Sequence, residues 1–75
     1  MKENLLLNMN LEAVSVNELV KDFPDDLDNI YYHLGKMHVY EEVYKELYGD
    51  IPEPTLKHMT HVSMMVYDWE KVRRT

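Results

Sequence analysis

The absence of cysteine is the tightest constraint on this 75-residue chain. It removes disulfides and thiolate metal sites together. A chain of this length forms at most one domain, residues 1–75, and buries only about 60–65% of the surface that its unfolded form exposes. Stability must therefore come from well-packed helices or from association with a second copy. Apolar residues make up 45% of the chain and aromatics 11%, too much apolar material for a disordered acidic tail. The chain should fold.

Residues 5–13 alternate, with Leu5, Leu7, Met9, Leu11 and Ala13 on one side and Leu6, Asn8, Asn10 and Glu12 on the other. A period of two predicts a half-buried strand, although Leu, Met, Glu and Ala are also good helix formers. A single strand cannot satisfy its own backbone groups. The simplest partner is the same strand of a second copy, which places Leu7, Met9 and Leu11 in a dimer interface.

Ser15-Val16-Asn17-Glu18 fits a capping box and predicts a short helix with Val16, Leu19, Val20 and Phe23 inward. Pro24 should end it, and Pro24-Asp25 should open a second helix running to Tyr48, with Gly49-Asp50 as its stop. Within this helix Leu27, Ile30, Tyr31, Leu34 and Met37 share one face, whereas Tyr40, Val43, Tyr44, Leu47 and Tyr48 lie roughly 90° further round. Such a shift requires either a bend near Gly35-Lys36 or two contact surfaces. A helix apolar on two sides points to self-association, with Tyr40, Val43, Tyr44 and Leu47 as the interface. Ile51-Pro52-Glu53-Pro54 reads as a rigid connector. A last helix over 55–73 aligns Leu56, Met59, Val62, Val66 and Trp69. The expected fold is mainly α: one short N-terminal strand followed by about three helices, in a small and dimeric domain.

Chemistry is sparse. His58 and His61 are neighbours on the last helix, but no H-x-x-x-H or H-E-x-x-H spacing supplies further ligands, so no metal is expected. Ser15 and Ser63 stand outside any G-x-S-x-G turn, and the isolated Gly35 and Gly49 cannot form a phosphate-cradling loop. A domain this small also has little interior in which to shift carboxylate pKa values. No catalytic residue and no cofactor is expected, and the chain reads as a non-enzyme. Leu5–Leu7 is too short an apolar run for a signal peptide core, which predicts a cytoplasmic protein.

Charge carries the functional signal. Between Glu12 and Glu53 eleven acids face three lysines, leaving the stretch eight charges negative, while the rest of the chain holds five cations against three acids. The field steers the chain toward basic surfaces and away from nucleic acid and membrane. Asp25, Asp26 and Asp28 also suit the start of a helix, where the macrodipole favours negative charge. Two clusters nevertheless form candidate partner-binding residues: Asp22, Asp25, Asp26 and Asp28, then Glu41, Glu42, Glu46, Asp50 and Glu53. If the helix continues, Glu42, Glu46, Asp50 and Glu53 draw a line of carboxylates spaced by about 5–6 Å, close to the spacing of phosphates along a strand.

A short, cysteine-free acidic chain with carboxylates and tyrosines in lines, such as Glu42, Glu46 and Asp50 beside Tyr44 and Tyr48, resembles the small phage-encoded proteins that disable host replication or transcription machinery. Several of those act as DNA mimics. The resemblance implies a rigid acidic surface filling a basic nucleic-acid channel of a partner protein, in the host cytoplasm. The order of a strand followed by helices is also similar to antitoxin-like and ribbon-helix-helix regulators, which dimerise through the strand, here residues 5–13. Such regulators read DNA with basic or polar strand residues, whereas the outward residues here, Asn8, Asn10 and Glu12, include no cation and one acid, which counts against DNA contact by this chain.

Overall fold

The computed structural model describes residues 1–74 and contains three helices: α1 Lys2–Asp22, α2 Leu27–Tyr48 and α3 Glu53–Arg74. The expected strand at residues 5–13 is therefore helix, and no strand occurs among the described residues. Burial explains the misleading alternation. Met9 and Ala13 are fully buried, but Leu7 and Leu11 stay about half exposed, so the buried positions follow the helical period. Before Val14 the chain has no β-branched residue; its Leu, Met, Glu and Ala are good helix formers, and Asn is disfavoured in strands. The Ser15 capping box is likewise overturned, because Ser15 lies inside α1 rather than at a helix start.

The breaks fall close to the expected punctuation. Phe23 ends α1, donating its N–H to the Leu19 carbonyl, and stands exposed instead of pointing inward. Pro24-Asp25-Asp26 form a turn, and α2 begins at Leu27 rather than at Pro24. Gly49 closes α2 with φ 87, a left-handed conformation that favours glycine over any residue with a Cβ. Pro54 sits in the first turn of α3, where a missing N–H costs nothing.

Core positions recur every seven residues. Ile30, Met37 and Tyr44 are buried along α2, Met9 and Val16 along α1, and Thr55, Met59, Val62, Val66 and Trp69 along α3. This is the seam of a helical bundle. α2 runs unbroken through Gly35, and its apparent second stripe disappears because Val43, Leu47 and Tyr48 are exposed. Leu56, expected inward on α3, is exposed, and Thr55 takes the interior position. The molecule measures 40 × 17 × 17 Å, consistent with 22-residue helices of about 33 Å lying side by side.

α1 is the central element. Lys2 lies over the Tyr48 ring at one end and Glu12 meets His33 further along, so α1 and α2 run antiparallel. Asn10 meets Thr55 and His58, while the Trp69 indole N–H donates to the Pro24 carbonyl at 2.9 Å, so α3 runs parallel to α1. No α-carbon of α2 comes within 8 Å of one in α3 among the described residues. Side chains alone bridge that edge near the α1–α2 turn, where Tyr31 packs on Trp69, and its other end opens as a cleft. None of the described helices is long and apolar enough to cross a membrane.

Candidate functional site: the acidic surface

Glu12, counted from sequence as part of the acidic stretch, belongs to the interior. Its carboxylate accepts a hydrogen bond from His33 Nδ1 at 2.7 Å and pairs with Lys36 Nζ at 3.2 Å. A buried carboxylate needs such partners, because stripping it of water is costly. The hydrogen bond to Glu12 raises the Lys36 pKa above its ordinary value, with burial opposing and the Glu12 charge adding to the rise. Glu12 therefore ties α1 to α2 and contributes nothing to an outer acidic surface.

The nine acids expected to bind a partner fall into three places. Asp22, Asp25 and Asp26 cluster at the α1–α2 turn. There Arg73 reaches Asp25 at 3.1 Å and lies over the Trp69 ring, clamping the C-terminal end of α3 to the turn, while Asp26 accepts from the Asn29 amide. Glu41, Asp50 and Glu53 belong to the open edge between α2 and α3. Asp50 and Glu53 line a cleft of about 890 Å³ with Lys45, Ile51, Leu56, Lys57, Thr60, His61 and Met64. Its lysines and acids leave it without a single sign of charge. Glu41 lines a smaller adjoining cleft of about 380 Å³ with His38, Met59 and Tyr67.

Asp28, Glu42 and Glu46 share the third place. At about 100° per residue they lie within roughly 40° of one another on the outward face of α2. The expected four-carboxylate line is cut after Glu46, because α2 ends at Tyr48 and the chain turns at Gly49 to bury Ile51. Asp50 and Glu53 cannot continue a line drawn by a helix that has stopped.

Pairing separates these acids further. Glu41 holds Lys45 and His38, Glu53 holds Lys57, and Asp25 holds Arg73. Asp22, Asp28, Glu42, Glu46 and Asp50 form no ion pair among the described residues, and all are exposed. Burial pushes the Glu41 carboxyl up, but the hydrogen bonds and charges of His38 and Lys45 outweigh it and hold Glu41 below the usual range. Because the folded pKa is the lower one, the stabilisation is present above the unfolded value and is lost as pH falls through the carboxylate range. Glu41→Gln should therefore cost about 0.3–1 kcal/mol near neutrality and flatten the acid limb of a stability-against-pH curve, as urea titrations would show.

Two residues expected at a dimer interface are core. Met9 is 0% and Tyr44 1% exposed, whereas Leu7, Leu11, Val43 and Leu47 are exposed and Tyr40 is half-buried. The ribbon-helix-helix likeness loses its basis with the strand. Ring contacts also fix tyrosines on the outer surface of α2. Tyr31 packs on Trp69 at 5.7 Å between centroids, and Tyr32 is flanked by His33 at 5.2 Å and Lys36 at 5.0 Å. Compared with models of protein families, with curated proteins and with solved structures, the chain matches none.

Proposed function

We propose that this chain is a non-catalytic acidic binding protein that inhibits a partner by occupying its basic nucleic-acid-binding surface. The observation that supports the reading is the unpaired state of Asp28, Glu42 and Glu46 on the outward face of α2. Both lysines of that helix are engaged elsewhere, Lys36 with Glu12 and Lys45 with Glu41. Unneutralised carboxylates on a rigid helix attract lysines and arginines and speed encounter with a basic surface. The exposed Asp22 and Asp50 extend the negative field at the two ends of α2. The resemblance to phage-encoded inhibitors makes replication or transcription machinery the candidate target.

Immobilised protein exposed to a bacterial lysate tests this reading. It should retain nucleic-acid-binding proteins that moderate salt or added duplex DNA releases. Retention only of proteins without affinity for nucleic acid, indifferent to DNA, would contradict it.

Self-association is part of the same reading, through the apolar residues that remain exposed: Leu7 and Leu11 on α1, Val43 and Leu47 on α2. Sedimentation should give about twice the 9.0 kDa chain mass at high micromolar concentration. Val43→Lys with Leu47→Lys should yield a folded monomer, since neither side chain supports the core. Wild-type protein sedimenting as a monomer would remove the dimer.

A further inference from the structure

Gly35 stands near the middle of α2 at an exposed position, where glycine weakens a helix relative to alanine. Its conformation is helical and the helix does not break there. A Cβ added at Gly35 would meet nothing within 4 Å. No packing among the described residues requires the glycine. What it leaves is a notch, because its surface neighbours one turn away on either side are Tyr31, Tyr32, His38 and Val39. Tyr31, Tyr32 and Val39 are 47%, 59% and 58% exposed, and the two rings are held from outside the notch by Trp69 and by His33 and Lys36.

The charges around the notch decide what fits it. Lys36 lies over Tyr32, and Arg73 and Arg74 lie near Tyr31, but these cations are paired with Glu12, Asp25 and Glu70. Asp28 and Glu42 each lie seven residues from Gly35, about 10.5 Å along the axis in opposite directions, and neither forms an ion pair among the described residues. A second copy crossing antiparallel at Gly35 would set Asp28 against Glu42, and a parallel copy would set each acid against itself. Either arrangement opposes like charges and is repelled. The complementary occupant carries cations at those positions and a small or slender side chain between them.

We propose that the Gly35 notch is the docking site for a basic amphipathic α-helix of the partner protein, packed across α2 with one of its side chains seated between Tyr31, Tyr32 and Val39. Lysines or arginines about one heptad to each side of that contact meet Asp28 and Glu42. A residue without a side chain at the crossing lets two helix backbones approach more closely, and seating a side chain between Tyr31, Tyr32 and Val39 supplies a directional fit that carboxylates alone lack. The inference rests on the acidic-binding reading and adds the shape of what is bound.

Two synthetic peptides of identical Lys/Ala/Leu composition provide the probe. One places lysines a heptad to each side of an alanine on one helical face, and the other is scrambled so that no such face forms. In anisotropy titrations at low ionic strength the patterned peptide should bind at least tenfold more tightly than the scrambled one. Amide shift changes in the labelled protein should centre on residues 31–39. Gly35→Ala and Gly35→Leu should both raise the thermal midpoint through helix propensity, and yet Gly35→Leu should weaken patterned-peptide binding at least fivefold. Equal affinity for the two peptides, or unchanged binding by Gly35→Leu, overturns the notch while leaving the acidic-binding reading intact. Failure of both peptides to bind overturns the two together.

Discussion

Tyr44→Ala should lower the folding free energy by about 3–5 kcal/mol and Met9→Ala by about 2–5 kcal/mol. A chain of this length has a total stability of roughly 4–11 kcal/mol at about 0.05–0.15 kcal/mol per residue. Either substitution therefore removes a large share of it. Both side chains are enclosed by the protomer itself, so the loss in urea denaturation should be the same over a roughly hundredfold range of protein concentration. A loss that shrinks as concentration rises would put these residues back at an interface between copies. Leu11→Ala and Leu47→Ala, at exposed positions, should cost less than about 1 kcal/mol.

The second large effect concerns affinity. Asp28→Asn, Glu42→Gln and Glu46→Gln together should leave the circular dichroism spectrum unchanged, since each side chain is exposed and makes no ion pair among the described residues. Exposed charge-to-amide changes cost well under about 1 kcal/mol each. Affinity for the captured partner should nevertheless drop by about tenfold or more, chiefly through slower association, and its dependence on salt should flatten. Unchanged binding by the folded triple variant would make the face a solubility device. The same changes at Glu41, Glu53 and Asp25 should weaken binding less, because those carboxylates are already paired within the chain.

Helix ends were the most legible part of the sequence, because their causes are local. Pro24, Gly49 and Pro52 act through backbone sterics, and the breaks fall at or beside them. Glu53-Pro54, expected within a rigid connector, already belong to α3, and the helix start expected at Ser15 lies inside α1. The buried face of α3 was also readable, since Met59, Val62, Val66 and Trp69 follow one period without competition. Residues 5–13 were misread because two exposed leucines, Leu7 and Leu11, completed an alternation that burial does not follow. Apolar residues on the solvent side of a helix imitate a strand when each stands two positions from a core residue.

Long-range pairing explains the remaining differences. Glu12 looked like any other acid, and only the antiparallel approach of α2 brings His33 and Lys36 to it. Arg73 and Asp25 are 48 residues apart in sequence and meet at the α1–α2 turn. Which carboxylates are neutralised follows from such meetings, so the division of nine candidates into paired and unpaired groups could not be read from spacing. Gly35 carried a weak signal, as a glycine inside a helical pattern. Its meaning depends on the empty space above it.

Competition with DNA tests the central claim most directly. A fluorescein-labelled duplex bound to the captured partner is titrated with wild-type protein, and anisotropy reports the displaced DNA. The account predicts mutually exclusive binding: the apparent Kd for DNA rises in proportion to the concentration of the wild-type protein, and the Asp28→Asn, Glu42→Gln, Glu46→Gln variant displaces at least tenfold less effectively. Simultaneous binding of the duplex and the wild-type protein to one partner molecule, with the DNA affinity unchanged, would contradict it.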